Sequence, residues 1–140
     1  MILFDTSVLS RVLRRRRPGP EERRLQAVFE DLMESDAPLG LPGIVLQEVL
    51  SGIRSHRQFT DLSAKLLGAF AIVPAGVREH VEAARVKNIC LGKGLSVSGV
   101  DCLIAACAIA GIHELFTVDN DFKAIAVHAP LRLFKGHLVE

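Results

Sequence analysis

The sequence predicts an α/β domain with a mainly parallel sheet. Three observations predict it. Short apolar runs recur along the chain, at Ile2-Leu-Phe4, Phe70-Ala-Ile-Val73 and Leu115-Phe-Thr-Val118, each short enough to be a strand buried on both faces. Between them lie longer segments whose apolar residues recur at helical spacing. Two of the short runs lead directly into an acid, Asp5 and Asp119. Strands alternating with helices imply parallel pairing.

The elements follow in order. Ile2–Phe4 is the first strand, and Thr6 and Ser7 are both able to cap a helix carrying Val8, Leu9, Val12 and Leu13 on one face. Arg14–Arg17 and Pro18-Gly19-Pro20 break the chain. Pro20 suits the first position of a second helix, with Glu21 and Glu22 in its first turn. Leu25, Val28, Phe29, Leu32 and Met33 then mark its buried stripe. Pro38–Leu41 is a short second strand, and Pro42-Gly43 opens a helix over 44–53 with Glu48 inside it. Phe59, Leu62 and Leu66 mark another helix before the Phe70–Val73 strand. Val77, Val81 and Ala84 predict a helix ending near Gly92 and Gly94. A strong helix follows Ser98, with Val100, Leu103, Ile104 and Cys107 on one face and Gly111 as its stop. The Leu115–Val118 strand runs into Asp119 and Asp121, and Leu131–Phe134 is a weaker final strand. With no repeat and no linker, residues 1–140 read as a single domain.

Composition narrows the function. Hydrophobic residues make up 49% of the chain and the formal net charge is +1, so no overall field demands nucleic acid or a membrane. Charge is uneven, however: seven arginines between Arg11 and Arg24 face only Glu21 and Glu22, a local net of +5. That stretch is either a polyanion contact or a solvated loop. The absence of Trp and Tyr argues against a binder that stacks bases on aromatic platforms. Cys90, Cys102 and Cys107 form no C-x-x-C pair, and the five histidines lack ligand spacing, so reduced thiols in a cytoplasmic protein are expected. The start lacks the basic region of a signal peptide. The most apolar stretch, 100–112, is too short to span a bilayer and contains Asp101, so no membrane contact is expected.

Four acids stand at strand ends or inside apolar runs: Asp5, Glu48, Asp101 and Asp119, with Asp121 close behind. Each has a plain alternative. Asp5 can be a helix cap, Asp101 can belong to a capping box with Ser98, Glu48 can be a solvated helix position, and 119–121 can be an acidic turn. Their combination points further. In a parallel sheet, Asp5 and Asp119 share the carboxyl edge, and the adjoining helices can bring Glu48 and Asp101 alongside. Carboxylates so gathered stay ionised only around a cation. All-oxygen donors select a hard ion, Mg²⁺ or Mn²⁺. The matching chemistry is phosphodiester hydrolysis, with nearby arginines holding the polyanion.

These residues resemble the PIN domain, and within it the VapC-type toxins of bacterial toxin–antitoxin pairs. The resemblance rests on Leu3-Phe4-Asp5-Thr6-Ser7, Leu46-Gln47-Glu48-Val49-Leu50-Ser51-Gly52, the run Ser98-Gly99-Val100-Asp101-Cys102-Leu103-Ile104-Ala105-Ala106, and Leu115-Phe116-Thr117-Val118-Asp119-Asn120-Asp121-Phe122. Order and spacing cover nearly the whole chain. The resemblance implies a three-layer sandwich around a five-stranded parallel sheet of order 3-2-1-4-5. It also implies an Mg²⁺- or Mn²⁺-dependent endoribonuclease, with Asp5, Glu48, Asp101 and Asp119 as catalytic and metal acids. Thr117 matches a Ser/Thr beside the last acid, and Asp121 a further acidic position used less consistently. Ser7 stands where the family often has Asn, in a supporting contact. A homodimer, an RNA substrate and a cognate antitoxin threaded near the acids are implied as well, with the Arg14–Arg17 run near the helices that grip it.

Other classes fit less well. A haloacid-dehalogenase-type phosphatase needs a second Asp two residues after the first, where this chain has Ser7. A response-regulator receiver needs paired acids after the first strand and a Lys after the last. The remaining alternative is a non-catalytic acidic α/β module that binds a partner protein.

Overall fold

The computed structural model describes residues 1–13 and 17–136. The chain runs β1 (Ile2–Phe4), α1 (Thr6–Val12), α2 (Pro20–Glu34), β2 (Leu39–Pro42), α3 (Gly43–Leu50) and α4 (His56–Ala69). It continues through β3 (Ala71–Val73), α5 (Val77–Gly92), α6 (Gly99–Gly111), β4 (Glu114–Phe116), α7 (Asn120–His128) and β5 (Arg132–Leu133). All four strand pairings are parallel, in the order β3-β2-β1-β4-β5. The expected architecture and strand order are therefore those of the structure.

The topology dictates the layers. Right-handed crossovers leftward from β1 through β2 to β3 place α1–α4 over one face. The return crossovers to β4 and β5 place α5–α7 over the other. Helix packing agrees: α1 meets α2 and α3, α3 meets α4, and α5 meets α6 and α7. β1 lies at the centre, in register with Leu39 and Gly40 on one side and Glu114, Leu115 and Phe116 on the other. Leu3 and Phe4 alternate to opposite faces and both are fully buried. Each such side chain contributes on the order of 1.5–3 kcal/mol relative to exposure. The Phe4 ring meets Phe29, Phe70 and Phe116 edge-on at 5.8, 5.0 and 5.2 Å, fixing the floor beneath the β1 terminus. At Gly40 a Cβ would lie 2.6 Å from Met1 Sδ and 2.9 Å from Leu3 Cδ2, so any larger residue there needs both side chains to shift.

Several details differ from the sequence expectation. Of the three residues that the sequence offers as caps for α1, it is Asp5 and not Thr6 or Ser7 that takes the role, accepting from the Val8 N–H. The third helix stops at Leu50, three residues before Ile53. The predicted single face on α6 is too narrow: Cys102 and every residue from Ile104 through Ala108 are buried, so the helix is covered nearly all round, while Val100 is exposed. The helix ends at Gly111 as expected, but it is the C-cap residue after it, Ile112, that adopts the left-handed conformation at φ 54°. A seventh helix, α7, occupies residues that read in the sequence only as an acidic turn and a connection. Residues 14–16 lie outside the described residues, so the basic run is described only at Arg17, which is exposed. All three cysteines are buried and free, and burial pushes the Cys107 thiol up to about 11. Among the described residues, no helix is long and apolar enough to cross a membrane.

Candidate metal centre at the carboxyl edge

Strand order reverses between β1 and β4, and their carboxyl ends form the crevice where open parallel sheets bind ligands. Asp5 follows β1 directly. Its backbone N–H donates to the Phe116 carbonyl at 3.2 Å, which extends the β1–β4 pairing to the acid itself. Asp5 is only 2% exposed, the one buried charged residue of the described core.

A buried carboxylate needs donors, and Asp5 has three. Thr117 Oγ1 donates to Oδ2 at 2.6 Å, Ser7 Oγ lies 2.8 and 2.9 Å from the two oxygens, and the Val8 N–H donates to Oδ1 at 3.2 Å. The hydroxyls are themselves held. Ser7 Oγ accepts from the Val118 N–H at 3.1 Å, and Thr117 Oγ1 accepts from the Asp119 N–H at 3.0 Å. This network ties the β1–α1 turn to the β4–α7 turn. Burial pushes the Asp5 carboxyl above its ordinary value, the bonds from Thr117, Ser7 and Val8 pull it down, and the Asp119 charge adds a further upward push.

The other acids arrive on helix N-termini. Asp119 caps α7 and accepts from the Asp121 N–H at 2.9 Å. Asp121 is thereby fixed in the first turn of the same helix. Asp101 stands in the first turn of α6, where its N–H donates to Ser98 Oγ at 3.0 Å. The positive ends of these helices favour ionised carboxylates. Burial raises the Asp101 carboxyl first, and the charges of Asp119, Asp121 and Asp5 raise it further, against the hydrogen bond to Ser98.

Asp101, Asp119 and Asp121 each offer a carboxylate oxygen, and the three lie within 4.8 Å of one another. None of the ion pairs among the described residues involves them. The donors are oxygen alone, with no His or Cys in the group. Such a set fits a hard divalent ion of the Mg²⁺ or Mn²⁺ kind and not a thiolate- or imidazole-seeking metal.

The sequence-derived acids are thus not equivalent. Asp5 is more deeply buried than the trio, stands outside it and is coupled to Asp101 and Asp119 by charge. Glu48 is exposed on α3 and stands outside the trio. Its Oε1 accepts from Thr6 Oγ1 at 2.7 Å. Sequence reasoning gives Thr6 a place at a helix start and no role in the site. The signal for one is its adjacency to Asp5: once Asp5 caps α1, the Thr6 hydroxyl is left to bind elsewhere.

Comparison with known proteins gives a consistent result. A family model described as the PIN domain matches residues 2–128. FitAcB from Neisseria gonorrhoeae superposes with a TM-score of 0.75 at 23% identity, covering 96% of this chain and 97% of that one. VapBC2 from Rickettsia felis, bound to a DNA fragment from its promoter, gives 0.76 at 20% identity over 96% and 98% of the two chains. VapC20 from Mycobacterium tuberculosis, described as a sarcin-ricin loop cleaving toxin, gives 0.69 at 16% identity over 94% and 99%. At these identities the likeness is one of fold.

Proposed function

Since the chain belongs to the PIN-domain family, matched over residues 2–128, we infer that it is a divalent-metal-dependent endoribonuclease and the toxin of a toxin–antitoxin pair. The observation that carries this reading is the trio of carboxylates, within 4.8 Å of one another at the sheet's switch point. Asp101, Asp119 and Asp121 would hold the ion, Mg²⁺ or Mn²⁺, with the more deeply buried Asp5 outside the trio. When bound, such an ion lowers the pKa of a coordinated water and stabilises charge on the leaving oxygen.

The chain's own residues supply position and rigidity. Ser7 and Thr117 hold the buried Asp5 carboxylate in one orientation. The Asp119 side chain is set by α7, whose first turn it caps. Glu48, anchored by Thr6, contributes a further negative charge at the α1 side of the crevice. In the proposed reaction a water oxygen bonds to phosphorus while the bond from phosphorus to the leaving oxygen breaks; the water gives up a proton and the leaving oxygen takes one up. Carboxylates fixed in this way would hold the ion in place, so that no rearrangement is needed as charge develops on the leaving oxygen.

The partner reading has its own support. An apolar groove of about 600 Å³ lies between α1, α2 and α4, with Leu13 and Met33 exposed at its lip and Leu32 and Leu62 inside. We assign it to an antitoxin segment, as the toxin–antitoxin complex from Klebsiella pneumoniae, similar in fold, encourages. On α5, Val77 and Val81 are 83% and 52% exposed one turn apart, an apolar strip suited to a homodimer contact.

Purified protein incubated with structured RNA and Mn²⁺ tests the nuclease reading. Cleavage by the wild type, abolished by chelator and lost in Asp101→Asn, is the expected result. Equal cleavage by wild type and variant would refute the assignment of the site. A wild type that binds neither RNA nor Mn²⁺ would favour the non-catalytic partner-binding module.

A further inference from the structure

A second cleft opens beside the acids, of about 830 Å³. Its origin is topological. The helices α1–α4 belong to the crossovers through β1, β2 and β3, and on the side of β4 and β5 the cleft is lined by Arg11 of α1 and by Glu21, Arg24 and Leu25 in the first turns of α2. Leu25, Leu133 and Phe134 line its interior. Its polar lining is strongly one-sided: Arg11 from α1, Arg24 from α2, Lys123 from α7 and Lys135 after β5, against the single carboxylate of Glu21. All four basic residues are exposed, and none takes part in an ion pair among the described residues.

The cleft is continuous with the proposed centre. Thr117 and Val118 line it, and these are the residues that bond Asp5 and Ser7 and lead into Asp119. Lys123 stands on α7, the helix that Asp119 caps. A polyanion whose phosphodiester lies at the acids therefore has a positively charged path immediately beside it. The acidic crevice repels phosphate unless neutralised, whereas this cleft carries a net of three positive charges, none of its four cations held in an ion pair among the described residues. An arrangement of four cations drawn from four separate places in the fold also differs from the local Arg-rich run that the sequence shows, since two of its members lie about a hundred residues further on.

We propose that Arg11, Arg24, Lys123 and Lys135 form the track for the RNA backbone on one side of the scissile phosphate. This rests on the nuclease reading and adds to it a direction of entry. The four are positioning residues: they hold flanking phosphates and touch no reacting atom. Phosphate contacts of this kind are not sequence-selective and are screened by salt.

The test uses the intact protein in two backgrounds. RNA binding is measured in the Asp101→Asn protein as a function of salt, with and without the added substitutions Arg24→Gln, Lys123→Gln and Lys135→Gln. The track predicts that the triple substitution weakens RNA binding by more than tenfold at low salt. It also predicts a shallower dependence of log affinity on log salt, by about 0.7 for every phosphate that is no longer neutralised. In the otherwise wild-type protein, the same triple substitution should raise KM for a long RNA and leave kcat within about threefold. Arg78→Gln with Arg85→Gln, on α5 beside the far end of α6, serves as the control for charge removal and should change neither. If the wild type cleaves RNA but the triple variant binds with unchanged affinity and salt slope, the track is wrong and the nuclease reading stands. If the triple variant keeps RNA binding but loses capture of an acidic peptide segment, the cleft is a protein site and the track is likewise overturned. If the wild type neither cleaves nor binds RNA, the nuclease reading falls and the track falls with it.

Discussion

Thr117 Oγ1 donates to Asp5 Oδ2 at 2.6 Å, across 112 residues of sequence. The same oxygen accepts from the Asp119 N–H at 3.0 Å. One hydroxyl therefore orients the buried acid at the end of β1 and fixes the turn that presents the acid capping α7.

Thr117→Val keeps the shape and removes the hydroxyl. Asp5 then loses its shortest hydrogen bond inside the core, and the Asp119 N–H loses its acceptor. A loss of about 1–3 kcal/mol of stability is expected, read by urea unfolding. RNA cleavage should fall more than tenfold, and Thr117→Ser should restore most of both. Equal stability and activity in the valine variant would show that the hydroxyl bridge is incidental.

The raised carboxyls of Asp5 and Asp101 set a pH dependence for the metal-free protein. Each binds its proton more tightly folded than unfolded, so folding gains from them most below the ordinary value of 3.8. That gain is lost as pH rises through their raised folded values. Asp101→Asn removes its share of the loss, along with the repulsion from Asp119 and Asp121. The variant should therefore gain stability relative to the wild type as pH climbs from about 4 toward about 7 without divalent ions. A constant difference across that range would contradict the charge coupling.

Ile112 holds a left-handed backbone at φ 54° while its side chain is 73% exposed. That conformation is costly for a β-branched residue, and the exposed side chain recovers little by packing. Ile112→Gly should raise stability by about 1 kcal/mol, seen as a higher urea midpoint with an unchanged slope. A lower midpoint would show that Ile112 makes a contact that outweighs the strain.

Much of this architecture is legible in the sequence because parallel sheets bury their strands on both faces. Ile2–Phe4 and Leu115–Phe116 announce themselves as uninterrupted apolar runs, and the acids after them mark the carboxyl edge. The helix α7 is not legible, for a matching reason. It is nine residues long, buries only Phe122 and Ile125, and follows its cap as Asp119-Asn120-Asp121, a composition shared by helix starts and turns. Without that helix, nothing explains why Asp121 stands with Asp101 and Asp119: the cap fixes Asp121 in the first turn. The exposure of Glu48 is among the sequence readings, but its place outside the trio is not, because helical spacing gives a face and not the distances to neighbouring acids. Gly111 marks the end of its helix correctly but not the left-handed residue, since the hydrogen-bonded αL cap falls one position later, on Ile112.

The most direct measurement is a Mn²⁺ titration of the intact protein, followed by electron paramagnetic resonance of the free ion. The account predicts binding by the wild type that weakens on the order of tenfold or more in Asp119→Asn and in Asp121→Asn, and far less in Glu48→Gln. Mn²⁺ binding unchanged by both aspartate substitutions would contradict a metal centre built on these carboxylates.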